Sequence, residues 1–298
     1  MKCDWKGVFP AATTQFAADG AVDMKATAEG LEMMLAAGVD GFVMLGSVGE
    51  NTVLDAAEKR AVVKLAKEVV RGRVPVLSGV SEITTSAACA YAQDCAAIGI
   101  DGLMVLPAMI YKADAREGIA HFRAVARASS LPIMIYNNPP AYNLDLRPEH
   151  LAELADEPTL VCIKESAGNS RRFTDIKNLL GDRYVLFCGL DDLAFEAATL
   201  GAVGWVAGFA GVFPKETVAL WKLLAAGNYA EALPVYRWFT PLLHLDDHPK
   251  LVQYIKFAQS LTGHGSETTR PPRLALVGEE RARIEGLVRQ ALATRPNL

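Results

Sequence analysis

Short runs of β-branched and other apolar residues alternate eight times with longer segments whose apolar positions recur every three or four residues. The runs predict strands over residues 8–16, 41–47, 74–81, 102–107, 132–138, 160–166, 184–190 and 204–209. Between them, segments such as 54–70, 84–98 and 114–128 carry the helical period and alanine-rich faces. Gly38, Gly99 and Gly201 each follow a helical pattern closely, where a left-handed cap belongs. From Pro214 the pattern is wholly helical, over 215–225, 229–239, 250–261 and 279–292.

Strand and helix repeated eight times predict a (β/α)8 TIM barrel over residues 1–226. Residues 227–298 read as a C-terminal helical extension of the same domain, since no linker interrupts the chain. A doubly wound open sheet would want a Gly-rich turn after the first strand, and Pro10-Ala11-Ala12-Thr13-Thr14 offers none.

Composition narrows the class. The 298 residues are 51% apolar, as suits a packed α/β enzyme. Thirty basic and 34 acidic residues are well mixed, leaving a formal charge of −4. No basic stripe points to nucleic acid, and no long apolar stretch points to a membrane. The N-terminal Met1-Lys2-Cys3-Asp4-Trp5-Lys6 lacks the apolar stretch of a secretory leader, and the five cysteines show no Cys-x-x-Cys. A reducing cytoplasm is the expected compartment. The five histidines fall outside the predicted strand ends, so neither a metal nor another cofactor is expected. Asp246-Asp247-His248 reads as a solvated turn between C-terminal helices.

In such a barrel the active site forms at the C-terminal ends of the strands. Lys164 ends the apolar run Leu160-Val161-Cys162-Ile163. An ammonium there is costly unless paired or neutral, and a neutral lysine is a nucleophile toward carbonyl compounds. An isolated strand-end lysine commonly reaches past the strand into solvent, so its neighbours decide the reading. Strand two ends in Gly46-Ser47-Val48-Gly49-Glu50, whose backbone amides and Ser47 hydroxyl suit a small carboxylate, or which forms an ordinary Gly-rich turn. Strand five ends in Tyr136, a proton relay or a packing residue with a wetted hydroxyl. The pleat turns Glu165 towards the helix layer. Asp191 opens a helix, as a cap or as a substrate contact. Gly208 closes a glycine-spaced strand, admitting a ligand to the backbone or easing the barrel's curvature.

The Gly-Ser-x-Gly-Glu turn, Tyr136-Asn137-Asn138-Pro139 and the strand-six lysine, in that order, resemble the dihydrodipicolinate synthase/N-acetylneuraminate lyase family. The resemblance spans essentially the whole chain. It implies a barrel acting on 2-oxo acids through a lysine Schiff base without a metal, usually as a tetramer of two tight dimers. Carried over, Lys164 forms the Schiff base, Tyr136 relays protons, and Gly46, Ser47 and Val48 hold the substrate's 1-carboxylate. Two departures count against the synthase reaction. The synthases have a threonine where Val48 stands, relaying protons to a neighbouring subunit's tyrosine. They also have an arginine where Pro140-Ala141-Tyr142 is uncharged. Tyr111 is the candidate for the partner tyrosine.

Gly7-Val8-Phe9-Pro10-Ala11, Val48-Gly49-Glu50-Asn51 and Thr269-Arg270-Pro271-Pro272-Arg273-Leu274 further resemble one branch of the family, the Δ1-pyrroline-4-hydroxy-2-carboxylate deaminases of hydroxyproline degradation. That likeness implies a dehydrating deamination of a cyclic imino acid to 2,5-dioxopentanoate and ammonia. The same Schiff base also permits a pyruvate-dependent lyase, aldolase or dehydratase reaction on another 4-hydroxy-2-oxo acid. A non-catalytic small-acid sensor is the alternative of another class.

Overall fold

The computed structural model describes residues 3–108 and 110–298. Met1 and Lys2, at the head of the N-terminal stretch read above, lie outside them. Eight parallel strands form the (β/α)8 barrel: β1 (Gly7–Pro10), β2 (Phe42–Met44), β3 (Val76–Val80), β4 (Gly102–Val105), β5 (Ile133–Asn137), β6 (Leu160–Glu165), β7 (Val185–Cys188) and β8 (Gly204–Ala207). Neighbours pair in sequence order round to β8, which pairs β1. A single bridge, Ala11 to Val43, joins β1 to β2 and closes the ring.

The outer layer comprises α1 (Met24–Ala36), α2 (Ala56–Val70), α3 (Thr85–Ile98), α4 (Ala115–Ala128), the short α5 (Pro139–Tyr142) and α6 (Pro148–Glu153), α7 (Arg171–Leu180), α8 (Ala194–Thr199) and α9 (Pro214–Ala225). The extension adds α10 (Tyr229–Leu243), α11 (Leu251–Leu261) and α12 (Gly278–Ala293). Local chemistry sets these boundaries. Asp55 with Glu58, and Asp114 with Glu117, form reciprocal capping boxes at the starts of α2 and α4. Gly38, Gly99 and Gly201 all have positive φ just past a helix, as expected.

Several boundaries differ from the sequence expectation by up to three residues, and two differ by more. The first strand stops at Pro10, and the side chains beyond it bond elsewhere: Thr13 Oγ1 donates to Gln259 Oε1 at 3.1 Å and Thr14 Oγ1 to the Gly49 carbonyl at 2.7 Å. Helix α10 runs past Phe239, through Pro241, to Leu243. The buried Phe239, Leu242 and Leu243 repeat the apolar spacing across the proline, and their packing outweighs its missing N–H.

The barrel interior is apolar and closely filled. Phe9 and Phe187 meet edge to face at 5.1 Å, and glycine at 204 leaves room for the Phe187 ring, 2.3 Å from where a Cβ would stand. With that plug below, the polar strand ends open into a cavity above. Among the described residues, no helix is long and apolar enough to cross a membrane.

Candidate active site

The cavity has a volume of about 480 Å3, and Lys164, Tyr136, Gly46, Ser47, Val48 and Gly208 all line it. Six of the eight candidates named from sequence therefore meet in one place, Asp191 and Tyr111 being the exceptions. Parallel register explains the central pair: Tyr136 on β5 stands directly beside Lys164 on β6. Both point inward, and the Lys164 Nζ sits 3.9 Å from the Tyr136 ring centroid. Among the described residues, that amine makes no hydrogen bond or ion pair. Burial pushes its pKa below the ordinary lysine value, an effect partly offset first by the charge of Asp246 and then by Tyr142 and Asp191. Position 189 must be glycine for this lysine to lie where it does, because a Cβ would fall 2.7 Å from the Lys164 Cγ and 2.0 Å from the Ser166 Oγ.

Tyr136 is itself buried, and burial pushes its phenol up to about 12. Its hydroxyl accepts a hydrogen bond from Asn138 Nδ2 at 3.0 Å. Glu165 turns away from the cavity, as alternation requires. Its carboxylate accepts from Asn137 Nδ2 at 2.9 Å and from the Ala167 N–H at 2.7 Å, while burial raises it to about 7.

The turn after β2 is held in a strained shape. Leu45 has φ 53°, a left-handed conformation that costs a bulky residue about 1–3 kcal/mol. Asn51 Nδ2 secures it by donating to the Leu45 carbonyl at 3.0 Å and the Gly79 carbonyl at 3.3 Å. Gly79 allows that carbonyl in, since a Cβ there would lie 2.2 Å from the Leu45 oxygen. The result is an arc in which the N–H groups of Ser47 and Val48 donate to no acceptor among the described residues. Such an arc can take a carboxylate.

Among the lining residues that sequence reasoning did not assign to the site, four carry chemistry. Tyr142 packs edge to face on Tyr136 at 5.6 Å and bonds through its hydroxyl to Ser47 Oγ. It reaches the cavity because α5 folds Pro140-Ala141-Tyr142 back over the strand ends, a geometry with no signature beyond the two prolines. Arg273 lines the cavity with its guanidinium 3.7 Å from Glu50 Oε2. Asp246 and His248 also line it: the turn is solvated as read at Asp247 and His248, which are exposed, whereas Asp246 is half-buried. One signal was available, because Asp246 and Asp247 lie two and three residues past the His244 cap of α10, at the helix end where a dipole disfavours acids.

Asp191 is placed differently from the direct substrate contact considered for it. It is fully buried behind the wall, accepting from Trp205 Nε1 at 2.9 Å, Gly208 N at 3.0 Å and Phe209 N at 2.8 Å. Those bonds occupy both carboxylate oxygens. Tyr111 stands exposed, its hydroxyl donating to Glu117 Oε1 at 3.1 Å, away from its own chain's cavity.

A barrel with a desolvated lysine ending its sixth strand has the architecture of the Schiff-base-forming lyases. The chain belongs to the dihydrodipicolinate synthetase family, whose model matches residues 4–291. It is 32% identical to a 4-hydroxy-tetrahydrodipicolinate synthase of Geotalea uraniireducens, over 96% of this chain and 98% of that one. It is 30% identical to an uncharacterized DapA-like lyase of Rhizobium meliloti, over 96% and 97% of the two chains. Among solved structures it is similar to a prophage protein of the family from E. coli K12 in complex with pyruvate, with a TM-score of 0.91, 29% identity and coverage of 97% and 99%.

Proposed function

We propose that the protein is a Schiff-base-forming deaminase that converts Δ1-pyrroline-4-hydroxy-2-carboxylate to 2,5-dioxopentanoate and ammonia. The observation that carries this reading is the wall around Lys164. Val48 and Pro140-Ala141-Tyr142 line it where the synthases have a threonine and an arginine, so a second dicarboxylic substrate finds neither relay nor anchor there.

Neutral Lys164 attacks C2 of the cyclic imine, and transimination opens the ring to leave a primary amine on C5. Tyr136 shuttles protons at the carbinolamine, while Ser47 and the free amides of 47 and 48 hold the carboxylate. The protonated imine makes a C3 proton acidic; its loss and departure of the C4 hydroxyl give an unsaturated imine. Proton shifts then carry the unsaturation to C5 as an imine, which water hydrolyses to release ammonia. Hydrolysis from Lys164 frees the product. Gly208 borders the cavity as part of the β8 wall on the substrate side, its missing Cβ leaving room for the Asp246 carboxyl, and Asp191 acts by fixing that wall. Assembly as a tetramer in the cytoplasm is part of the same proposal, and light scattering on the purified protein tests the assembly.

One observation favours a second reading. Arg273 is a cation on the same cavity and suits a second carboxylate, such as that of 4-hydroxy-2-oxoglutarate. Separate incubations with the pyrroline and with that oxo acid discriminate. Ammonia together with 2,5-dioxopentanoate from the pyrroline is the expected result; pyruvate from the oxo acid, without ammonia from the pyrroline, overturns it. Borohydride trapping with pyruvate tests the nucleophile itself, and absence of an adduct on Lys164 would favour a sensor.

A further inference from the structure

Elimination across C3 and C4 needs a group that takes one proton and gives one back. The cavity offers few. The Tyr142 hydroxyl is engaged with Ser47, and the Tyr136 hydroxyl, held by Asn138, already serves the carbinolamine at C2. His248 Nδ1 accepts from the Lys250 N–H at 3.1 Å, and its ring lies against Tyr254 at 4.9 Å. Asp246 differs from all three. Its Oδ2 accepts a long hydrogen bond, 3.4 Å, from the N–H of Asp191, a residue itself pinned to β8 and the turn beyond it. Its Oδ1 accepts no hydrogen bond among the described residues. The carboxyl also has a place reserved for it: a Cβ at Gly208 would lie 2.6 Å from that Oδ1 and 3.0 Å from Ile255 Cδ1. No arginine forms an ion pair with it among the described residues, and positive charge on the Lys164 nitrogen, as in an iminium, would favour its carboxylate form.

We propose that Asp246 is the acid–base residue of the reaction, taking the C3 proton from the Lys164 iminium and delivering it to the C4 hydroxyl as that group leaves. In the first step the C3–H bond breaks, its proton goes to a carboxylate oxygen, and its electron pair forms the C2=C3 bond of an enamine. In the second, the enamine electrons move to C3=C4, the C4–O bond breaks, and the hydroxyl leaves with the Asp246 proton as water. No oxidant or reductant is needed. Burial, reinforced by the charge of Asp191, raises the carboxyl well above the usual range, making it a stronger base than an exposed aspartate. The C4 step rests on the deaminase reading; the C3 step requires only a Schiff base.

Pyruvate separates the two. Bound to Lys164 it has C3 protons but no C4 group, so exchange of its methyl protons in D2O, followed by NMR, reports C3 proton transfer alone. In Asp246→Asn the borohydride adduct on Lys164 persists, while exchange and ammonia release fall about 10²–10⁴-fold. Asp246→Ser is a second arm against misfolding of the first variant. Adduct with wild-type exchange in either variant overturns the assignment. Loss of the adduct in both also overturns it, making Asp246 a structural support of Lys164. If the wild type exchanges pyruvate protons but releases no ammonia from the pyrroline, while the variants lose exchange, the C3 assignment stands and the deaminase reading falls.

Discussion

Lys164 and Lys256 are both removed from water, yet the surroundings prepare them for opposite ends. Lys256, on α11, is fully buried with its Nζ 2.7 Å from Glu50 Oε1 and 2.8 Å from the Thr268 carbonyl, over the Phe16 ring at 4.2 Å. Lys164 has the Tyr136 ring beside its amine, no ion-pair partner among the described residues, and open cavity ahead. Desolvation pushes both amines below the ordinary lysine value, so depressed basicity alone does not mark a nucleophile. The partner makes the difference. A carboxylate at 2.7 Å keeps Lys256 charged and occupied, whereas Lys164 keeps a lone pair that is available and accessible.

The largest expected effect follows from removing the unpaired amine. Lys164→Met is expected to abolish the borohydride adduct and lower turnover by about 10⁴-fold or more, while leaving the fold intact. Peptide mass spectrometry after trapping, alongside circular dichroism, checks both halves. An adduct elsewhere on the chain would remove Lys164 from its role. The matching change, Lys256→Met, removes the nearer cation from the buried Glu50 carboxylate and leaves it the Arg273 guanidinium at 3.7 Å. It is expected to cost about 3–5 kcal/mol of stability in urea unfolding, with the adduct on Lys164 still formed in the folded fraction.

The pH response is expected to separate the pair next. Only Lys164 meets a carbonyl compound, so adduct formation with pyruvate should rise about tenfold per pH unit and level off below about 10.4. A plateau reached only at the ordinary lysine value would contradict a desolvated amine. For stability the sign is the same for both residues. Each has a folded-state value below its unfolded one, so between the two values the unfolded chain binds more protons. Their contribution to stability therefore rises with pH in that window and stops changing above about 10.4. The smallest effect belongs to Glu50→Gln combined with Lys256→Met. Removing both charges should bring stability back to within about 1–2 kcal/mol of wild type, and a double-mutant cycle measures the coupling.

The contrast also shows what a chain can reveal before it is folded. Lys164 was legible because a lysine ending a β-branched run breaks a local rule, and the barrel was legible because its strand–helix period repeats eight times. Lys256 sits in an amphipathic pattern that looks ordinary, and only tertiary packing shows that its side chain is fully enclosed. The same holds for the cavity. Ser47 and Tyr136 were found at strand ends, where the fold predicts chemistry, whereas Tyr142, Asp246 and Arg273 arrive on connections whose path no periodicity encodes. Asp191 illustrates the converse: its strand-end position was read correctly, but its three hydrogen bonds go to the Trp205 indole and two backbone amides rather than to a ligand.

This division of labour between ladder and connection matters for redesign. The amine is seated by β-sheet register, which tolerates little change, while residues 246–249 approach the same cavity from a turn between α10 and α11. What becomes of an intermediate after it is captured is therefore adjustable separately from the capture itself. A library confined to that turn and to position 273 samples new outcomes for one covalent intermediate, with the Lys164 adduct serving as the check that each member still captures its substrate.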